Sequence, residues 1–224
     1  MTTHPAPDEL LLAHAAGGLD QLLSLIVASQ AAYSEDSRRR LCDFEALGGL
    51  LLEELEPAPL DEGALETLLD RLDAVPQEAP ARTAAAPAPA EDGFDLPPVL
   101  RRLLGDDLRS LAWQPLMRGV RSADLVPGVR ESGGPRARLM RIEAGTAVAR
   151  HSHRGREFTL VLSGAYSDAG GTFGPGDLQI SDASVDHRPR AIGSTPCLCL
   201  VVTDAPLRLT GPLGLLNPFL KSRL

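Results

Sequence analysis

The sequence predicts an α+β protein of two parts, an all-α front half and an all-β back half. Three observations support this division. Leucines recur at spacings of three and four residues before residue 76, short apolar runs separated by glycine turns follow residue 92, and an Ala/Pro-rich stretch lies between them. These patterns are typical of helices, strands and an extended connection, respectively.

Four helices are predicted in residues 1–75, because four segments carry leucines on a helical repeat. The segments are 8–18, 19–34, 35–55 and 61–75. Ser34 and Asp61 stand where N-caps of the third and fourth helices would lie. The leucine runs at 10–12 and 50–52 offer more apolar surface than one helix face buries, which indicates that a partner covers the excess.

Residues 76–92 are predicted to be a semi-extended linker, because Ala and Pro give no apolar periodicity and each proline removes a backbone donor. Residues 93–210 are predicted to form a β-sandwich or barrel. The strand candidates are ARLMRIEAG, TAVARHSH, EFTLVLSGAYSD, TFGPGDLQIS and CLCLVVTDA. The tail, residues 211–224, is unusually apolar for a terminus and is predicted to pack against the barrel or another chain.

The two halves carry opposite charge. Residues 1–75 hold fifteen Asp and Glu against four Arg, a net of −11, whereas residues 93–224 hold twelve acids against seventeen bases, a net of +5. An acidic half repels nucleic acid and attracts a basic protein, of which a DNA-binding protein is the obvious example. An acidic surface that only aids solubility would explain the same charge.

Composition also bears on location. No stretch approaches twenty uninterrupted apolar residues, and the N-terminus carries acids where a signal peptide carries bases. The three cysteines are an odd number and cannot form a disulfide framework, which fits a reducing compartment. We therefore expect a cytoplasmic protein with no membrane and no direct nucleic-acid contact.

Four residues of the back half have metal-ligand chemistry: His151, His153, Glu157 and His187. Residues two apart on a strand face the same side, so His151 and His153 are predicted to point inward together. Glu157 begins the next strand after a short turn, and His187 would close the site from across the barrel. Three imidazoles and a carboxylate suit Zn²⁺, Fe²⁺, Mn²⁺ or Ni²⁺.

The stretch from Gly145 to Gly164 resembles the first motif of the cupin family, G-x5-H-x-H-x3-E-x6-G, at every position. Residues 173–177, Phe-Gly-Pro-Gly-Asp, resemble the turn of the second cupin motif. His187 takes the place of its histidine at a longer spacing than the commonest form. The resemblance implies a small β-barrel over about residues 95–210 with one divalent metal per chain, for which Zn²⁺ is favoured.

Nearly the whole chain is similar to the ChrR-type anti-sigma factors. The resemblance is carried by His4-Pro5, DELLLAHAAGGL, the Ala/Pro linker, TLVLSGAYSD and CLCLVVTDAPLRL. It implies that residues 1–75 form an anti-sigma domain that binds an extracytoplasmic-function sigma factor. It further implies that the metal-binding cupin domain senses oxidative stress or a ligand and triggers release. A homo-oligomer is left open.

The chain departs from that family at one place. The family's zinc motif runs from an N-terminal His to H-x3-C-x2-C at the junction of the second and third helices. Here Gln30, Ser34 and Ser37 occupy the last three ligand positions, and only His4 stands near the upstream one. One imidazole cannot hold zinc, so we expect no metal there and a domain stabilised by helical packing. Whether sigma binding survives this loss is left open.

Two other functions fit the same residues. The first is a metal-dependent cupin enzyme of dioxygenase type, whose helical half is a docking or oligomerisation unit. The second is a divergent paralogue that lost sigma binding with its zinc ligands. A sigma-factor gene immediately upstream would favour the anti-sigma function, for which no catalytic residue is predicted.

Other candidates outside the ligand set are weaker. Cys197 and Cys199 lie on one side of a predicted strand; core packing is favoured over a redox pair, because same-face neighbours on a strand are poorly placed for a disulfide. Arg150, Arg154 and Arg156 surround the predicted metal site and would either attract an anion or solvate a loop.

Overall fold

The computed structural model describes residues 2–75, 94, 96–105, 108–125, 135–211 and 214. Helices come first and strands follow, so the α+β class is confirmed. The helices are α1 (Asp8–Ala15), α2 (Gln21–Ala31), α3 (Glu35–Glu53), α4 (Ala64–Ala74) and α5 (Pro98–Leu104). The four predicted helices are confirmed, whereas α5 is an addition, because two turns are too short to show a period. The predicted linker, and the tail except for residues 211 and 214, lie outside the described residues.

The helix starts confirm one predicted cap and correct another. Ser34 caps α3, since its Oγ accepts a hydrogen bond from the Ser37 N–H at 3.2 Å. Asp61 does not cap α4 through its side chain, so that prediction is wrong. The helix begins after Gly63, whose φ of +80° turns the chain, and the Ala64 N–H bonds to the backbone carbonyl of Asp61.

The strands form three antiparallel sheets. They are β1 (Gln114–Met117), β2 (Val120–Asp124), β3 (Arg136–Ile142), β4 (His151–His153), β5 (Glu157–Ser163), β6 (Ala165–Asp168), β7 (Gly171–Phe173), β8 (Leu178–Ser181), β9 (Asp186–His187), β10 (Arg190–Ile192), β11 (Cys197–Thr203) and β12 (Leu207–Leu209). The large sheet has the order β1-β2-β3-β11-β5-β8, and the small sheets are β10-β6-β7 and β12-β4-β9. Apolar side chains of the large sheet and of β6, β7 and β10 pack together as the barrel interior.

Strand β11 separates two hydrophobic cores. All seven of its residues are buried, which is the pattern of a strand covered on both faces. Leu198 and Leu200 belong to a core shared with the helices. Cys197 and Cys199 alternate with them and face the barrel interior. Because the strand period is two, one strand contributes to both cores at once.

Helix α2 packs on the outer face of the large sheet, and α1 packs on α2 and α3 within the same core. Leu11 of α1 and Ile26 of α2 are completely buried in one cluster with Leu139, Leu160 and Leu200 of the sheet. The front half therefore does not form a separate hydrophobic core. Its apolar side is buried against the back half.

The N-terminal segment, residues 2–6, lies along the turn before β8. The carboxylate of Asp177 accepts hydrogen bonds from the Thr3 N–H at 2.5 Å and the His4 N–H at 2.8 Å. The Leu178 N–H in turn bonds to the His4 carbonyl at 2.8 Å. Gly176 is required here, because its φ is +87° and a Cβ would lie 2.5 Å from side-chain atoms of Thr2. The segment is thereby fastened to the barrel.

The other end of the front half is uncovered. We call this the α3–α4 leucine surface; its leucines are each 49% to 68% exposed. They are Leu47, Leu50, Leu51, Leu52, Leu55, Leu65, Leu68, Leu69 and Leu72. Helix α4 buries none of its residues. The run 50–52 thus confirms the predicted excess of apolar surface, whereas Leu11 is covered by the protein itself. Among the described residues, no helix combines the length and apolarity needed to span a membrane.

Candidate metal centre

Strand β4 directs two histidines into the barrel. His151 and His153 are buried, while Ser152 between them is partly exposed, as strand alternation predicts. His187 on β9 pairs with His151 across the β4-β9 ladder. Glu157, the first residue of β5, is also buried. The four predicted residues therefore come from three strands, of which β4 and β9 pair in a small sheet and β5 belongs to the large sheet.

The ligand atoms of these four residues converge. One donor atom from each lies within 4.8 Å of all the others. The Nε2 atom of His187 is 3.0 Å from Nε2 of His151 and 3.2 Å from Nε2 of His153. Nδ1 of His153 is 4.0 Å from a Glu157 oxygen. Three imidazoles and a carboxylate around one point form a donor set that transition-metal ions accept.

Hydrogen bonds outside the cluster fix two of the rings. Nδ1 of His151 lies 2.8 Å from the Ala149 carbonyl oxygen, and Nδ1 of His187 lies 2.7 Å from Oδ2 of Asp168. Since both partners are acceptors, each Nδ1 carries a proton, and in the neutral tautomer this leaves Nε2 as the lone-pair atom of each ring. Two lone pairs 3.0 Å apart repel each other unless a cation lies between them. The residues therefore fit a bound metal.

Burial favours the neutral form of two of these imidazoles, His153 and His187. It lowers the pKa of His153 to about 4, with the nearby His151 and His187 rings adding to the effect and Glu157 opposing it. Burial also lowers the pKa of His187, although Asp168 counteracts part of the shift. Neutral imidazole is the form that binds metal, so at neutral pH both rings are ready to act as ligands.

Three polar residues that the sequence analysis missed support the site. Asp168 on β6 accepts from His187, and its Oδ2 also accepts from Nε2 of Gln179 at 3.0 Å. The Tyr166 hydroxyl donates to Oε1 of Gln179 at 2.8 Å. Burial alone would raise the pKa of Asp168, but hydrogen bonds from Gln179, His187 and the Gly170 N–H lower it instead. The carboxylate is thus charged and directed at His187.

A cavity of about 40 Å³ adjoins the ligands. Its lining is mostly apolar and includes Met140, Ile142 and Val148, with His151, Glu157 and His187 on the metal side. A water molecule needs about 10–15 Å³ of such space, so the cavity has room for a few water-sized groups. A small molecule in it would lie next to a bound metal.

The remaining sequence candidates are placed as follows. Arg150 pairs with Asp186 at 3.0 Å and Arg156 with Asp204 at 3.1 Å, which makes these two arginines partners of surface acids. Arg154 is exposed.

The cysteine pair is buried in the barrel core. The sulfur atoms of Cys197 and Cys199 lie 3.6 Å apart, and both thiols are free. The hydrogen bond between the two thiols, together with burial, raises the pKa of Cys199 well above its ordinary value. A protonated buried thiol is a weak nucleophile, which agrees with the predicted packing role.

The positions where the sequence analysis expected no metal, Gln30, Ser34 and Ser37, hold a buried polar cluster. Ser34 caps α3, and Nε2 of Gln30 donates to the Gly176 carbonyl at 3.4 Å. The Tyr33 hydroxyl donates to the Leu162 carbonyl at 3.0 Å. Contacts with the barrel therefore stabilise this part of the helical half, in addition to the helical packing that was expected.

A small antiparallel barrel that carries three inward histidines and one glutamate on this motif defines a cupin. Residues 105–206 match the family model described as the ChrR cupin-like domain. The chain is 40% identical over 222 residues to the anti-sigma-E factor ChrR of Cereibacter sphaeroides, covering 97% of this chain and 98% of that protein. The chain therefore belongs to the ChrR family of anti-sigma factors.

A solved structure of an anti-sigma complex agrees with this assignment. The crystal structure of Rhodobacter sphaeroides SigE in complex with the anti-sigma ChrR matches with a TM-score of 0.74 and 38% identity. The match covers 91% of this chain and 100% of that one. An RmlC-like cupin protein from Ralstonia eutropha matches with a TM-score of 0.41 and 17% identity, over 47% of this chain and 71% of that one.

Proposed function

We propose that this chain binds and inhibits an extracytoplasmic-function sigma factor in the cytoplasm, and that a metal ion in its barrel controls the release of that factor. The observation that carries the first part is the uncovered α3–α4 leucine surface. The solved ChrR structure that resembles this chain is a complex with SigE. A sigma factor is therefore the kind of partner that would cover this surface here.

The chemistry of the surface favours a basic, partly apolar partner. Leu65, Leu68, Leu69 and Leu72 of α4 are all at least half exposed, and acidic residues are interspersed among them. The helical region 1–75 carries a net charge of −11, as counted above. Exposed apolar patches of this kind mark protein interfaces, and opposite charge speeds association. A DNA-binding sigma factor has the basic faces that would be attracted.

A pair of leucine variants tests this proposal. Leu68 on α4 and Leu103 on α5 are both 52% exposed, so Leu68→Ser and Leu103→Ser remove equally accessible side chains. We expect Leu68→Ser to weaken binding of the co-expressed sigma factor about tenfold or more, as loss of an interface anchor does. Leu103→Ser should bind like the unmodified protein. Equal binding by both variants would show that the sigma factor binds at another surface.

For the metal we propose His151, His153, Glu157 and His187 as ligands, with Zn²⁺ favoured over Fe²⁺, Mn²⁺ and Ni²⁺. A bound metal would supply a Lewis-acidic, oxidant-accessible centre next to the small cavity. The protein's own part is to orient the His151 and His187 rings, as the hydrogen bonds to Ala149 and Asp168 do.

The sensing role has its own test. Glu157→Ala removes the carboxylate ligand and leaves the three histidines. We expect this variant to repress sigma-dependent transcription in unstressed cells but to release the sigma factor poorly on oxidant challenge. A reporter gene read with and without oxidant measures both. Constitutive failure to repress would mean that the metal supports the fold, and the sensing role would be withdrawn.

A second candidate is a metal-dependent cupin enzyme of dioxygenase type. The cavity beside the ligands favours it, because a substrate group in that space would reach a bound metal. The two candidates separate in a transcription assay. An enzyme with a helical docking domain would leave sigma-dependent transcription unchanged, whereas an anti-sigma factor would inhibit it.

A further inference from the structure

A continuous series of contacts leads away from the metal centre. It begins with Nδ1 of His187 at 2.7 Å from Asp168, continues with Gln179, which donates to the same Asp168 oxygen, and reaches the Tyr166 hydroxyl. Asp168 and Tyr166 are almost completely buried. In such surroundings water cannot replace a lost partner, so each hydrogen bond limits the position of the next group.

The series continues through aromatic rings to the N-terminal segment. The ring of Tyr166 stacks on Phe173 with centroids 5.0 Å apart, and the His4 ring also packs on Phe173 with centroids 4.6 Å apart. The backbone of His4 is held in place by Asp177 and Leu178 on the adjoining turn. The N-terminal segment, whose His4 ring packs on Phe173, therefore belongs to the helical half and leads directly into α1.

We propose that Asp168, Gln179 and Tyr166 are positioning residues for His187 and that the N-terminal segment supports them. Metal binding to the barrel and docking of the N-terminal segment then strengthen each other. The inference rests on the metal site proposed above and not on the sigma partner.

The physical reason is that both events need the same arrangement of side chains. His187 ligates only if its ring is held at one angle, and Asp168 sets that angle. Tyr166 and Phe173 pack in one way when His4 covers them. If the segment leaves, Phe173 loses a neighbour and the hydrogen-bonded series behind it gains freedom. By linkage, whatever docking contributes to metal affinity, metal contributes equally to docking.

The sharpest test removes the segment without removing an acid. Residues 2–5 contain no Asp or Glu, so their deletion leaves the acidic charge around the metal site unchanged. Zn²⁺ affinity of the full chain is measured by competition with a chromophoric chelator after the resident metal is stripped. We expect the deletion to weaken Zn²⁺ binding at least about fivefold. Affinity within about twofold of the unmodified protein would overturn the proposal.

A point substitution and a matched control refine the result. Asp177→Asn weakens the anchor of the Thr3 and His4 amides and should lower Zn²⁺ affinity in the same direction as the deletion. Asp204→Asn removes the same charge from a barrel residue that pairs with the exposed Arg156, and it should leave Zn²⁺ affinity unchanged. Equal loss in both variants would mean that long-range charge is responsible, and the proposed support would be rejected.

Tyr166→Phe tests the route itself, because it removes one hydroxyl and keeps the ring. In the unmodified protein, added Zn²⁺ should slow hydrogen exchange at the amides of His4 and Leu178, and in Tyr166→Phe this slowing should be lost. Deleting residues 2–5 should weaken Zn²⁺ binding less in Tyr166→Phe than in the unmodified background. Fully additive effects, or slowing that persists in Tyr166→Phe, would contradict the route. None of these measurements involves the sigma factor, so failure of the anti-sigma function would leave them unaffected.

Discussion

The barrel and the helical half use their buried polar residues in opposite ways. In the barrel, His151, His153, Glu157 and His187 aim their ligand atoms at one point. In the helical half, Gln30, Ser34 and Ser37 are equally buried, but their described hydrogen bonds go to the backbone of α3 and of the barrel. Burial of polar groups is common to both clusters. Convergence of lone pairs is confined to the first.

The difference extends to the two hydrophobic cores. The barrel interior is filled by its own strands, whereas α1 and α2 bury their apolar side in the core that they share with the large sheet and α4 buries nothing. The barrel thus provides its own core on one face. The helical half depends on what covers it, the barrel at one end and a partner at the other. The following predictions test this asymmetry in order of decreasing effect.

The largest effect is expected for the metal. We predict about one ion per chain in the purified protein and none after His151→Ala with His153→Ala, because two lost ligands leave too few donors to hold it. Elemental analysis of both proteins measures this. Gln30→Ala serves as the control and should retain the full metal content. Two tightly bound ions in the unmodified protein would show that the helical half has a site of its own.

Substitutions at the two ends of the helical half should differ in how much they lower the free energy of unfolding. Ile26 on α2 is completely buried against the barrel, whereas Leu69 on α4 is 50% exposed. We expect Ile26→Ala to lower the free energy of unfolding by about 2–5 kcal/mol, and Leu69→Ala to lower it by less than about 1 kcal/mol. Urea unfolding of the free chain measures both. Equal losses would mean that α4 is covered in the absence of a partner.

Salt should weaken association with the sigma factor. The net charge of −11 on residues 1–75 attracts a basic partner over distances that ions screen. We expect the association rate to fall about tenfold between low and high salt, with a smaller change in dissociation. Stopped-flow mixing at several salt concentrations measures the slope of the association rate against salt. Asp70→Asn with Asp73→Asn should flatten it, and an unaltered slope would place the electrostatic contact outside α4.

The smallest effect concerns acid. Burial alone would raise the pKa of Asp177, but hydrogen bonds from the N–H groups of Gly174, His4 and Thr3 hold it below its ordinary value. A lowered folded-state pKa means that this stabilisation is present above the unfolded value of about 3.9 and is lost as pH falls through the folded value. Urea unfolding from pH 6 to pH 3 should therefore show a shallower loss of stability for Asp177→Asn than for the unmodified protein. If the curves of stability against pH ran parallel for Asp177→Asn and the unmodified protein, this prediction would be contradicted.

The shared orientation of the candidate ligands was largely predictable from sequence, because local rules determine it. Strand alternation places His151 and His153 on one side, and Glu157 follows after one turn. The helices were predictable for the same reason, since a period of 3.6 is visible within a few turns. His187 is more distant in the chain, and its assignment depended on family resemblance as well as residue chemistry.

What supports the site was not predictable, because it depends on non-local pairing. Asp168, Gln179 and His187 lie on strands of three different sheets, and only the packing of those sheets around the barrel brings them together. The same holds for the docking of α2 on the large sheet. Amphipathic patterns show that a helix has an apolar side without showing what covers it.

The fastening of the N-terminal segment also bears on the order in which the protein folds. Thr3 and its acceptor Asp177 are 174 positions apart in the chain. During synthesis the first residues leave the ribosome long before their anchor exists, and contacts between distant residues form slowly. The residues made first are therefore among the last to be fixed. Until β11 is made, the side of α2 that packs on the large sheet stays open to solvent, whereas the α3–α4 leucine surface is already available to a partner.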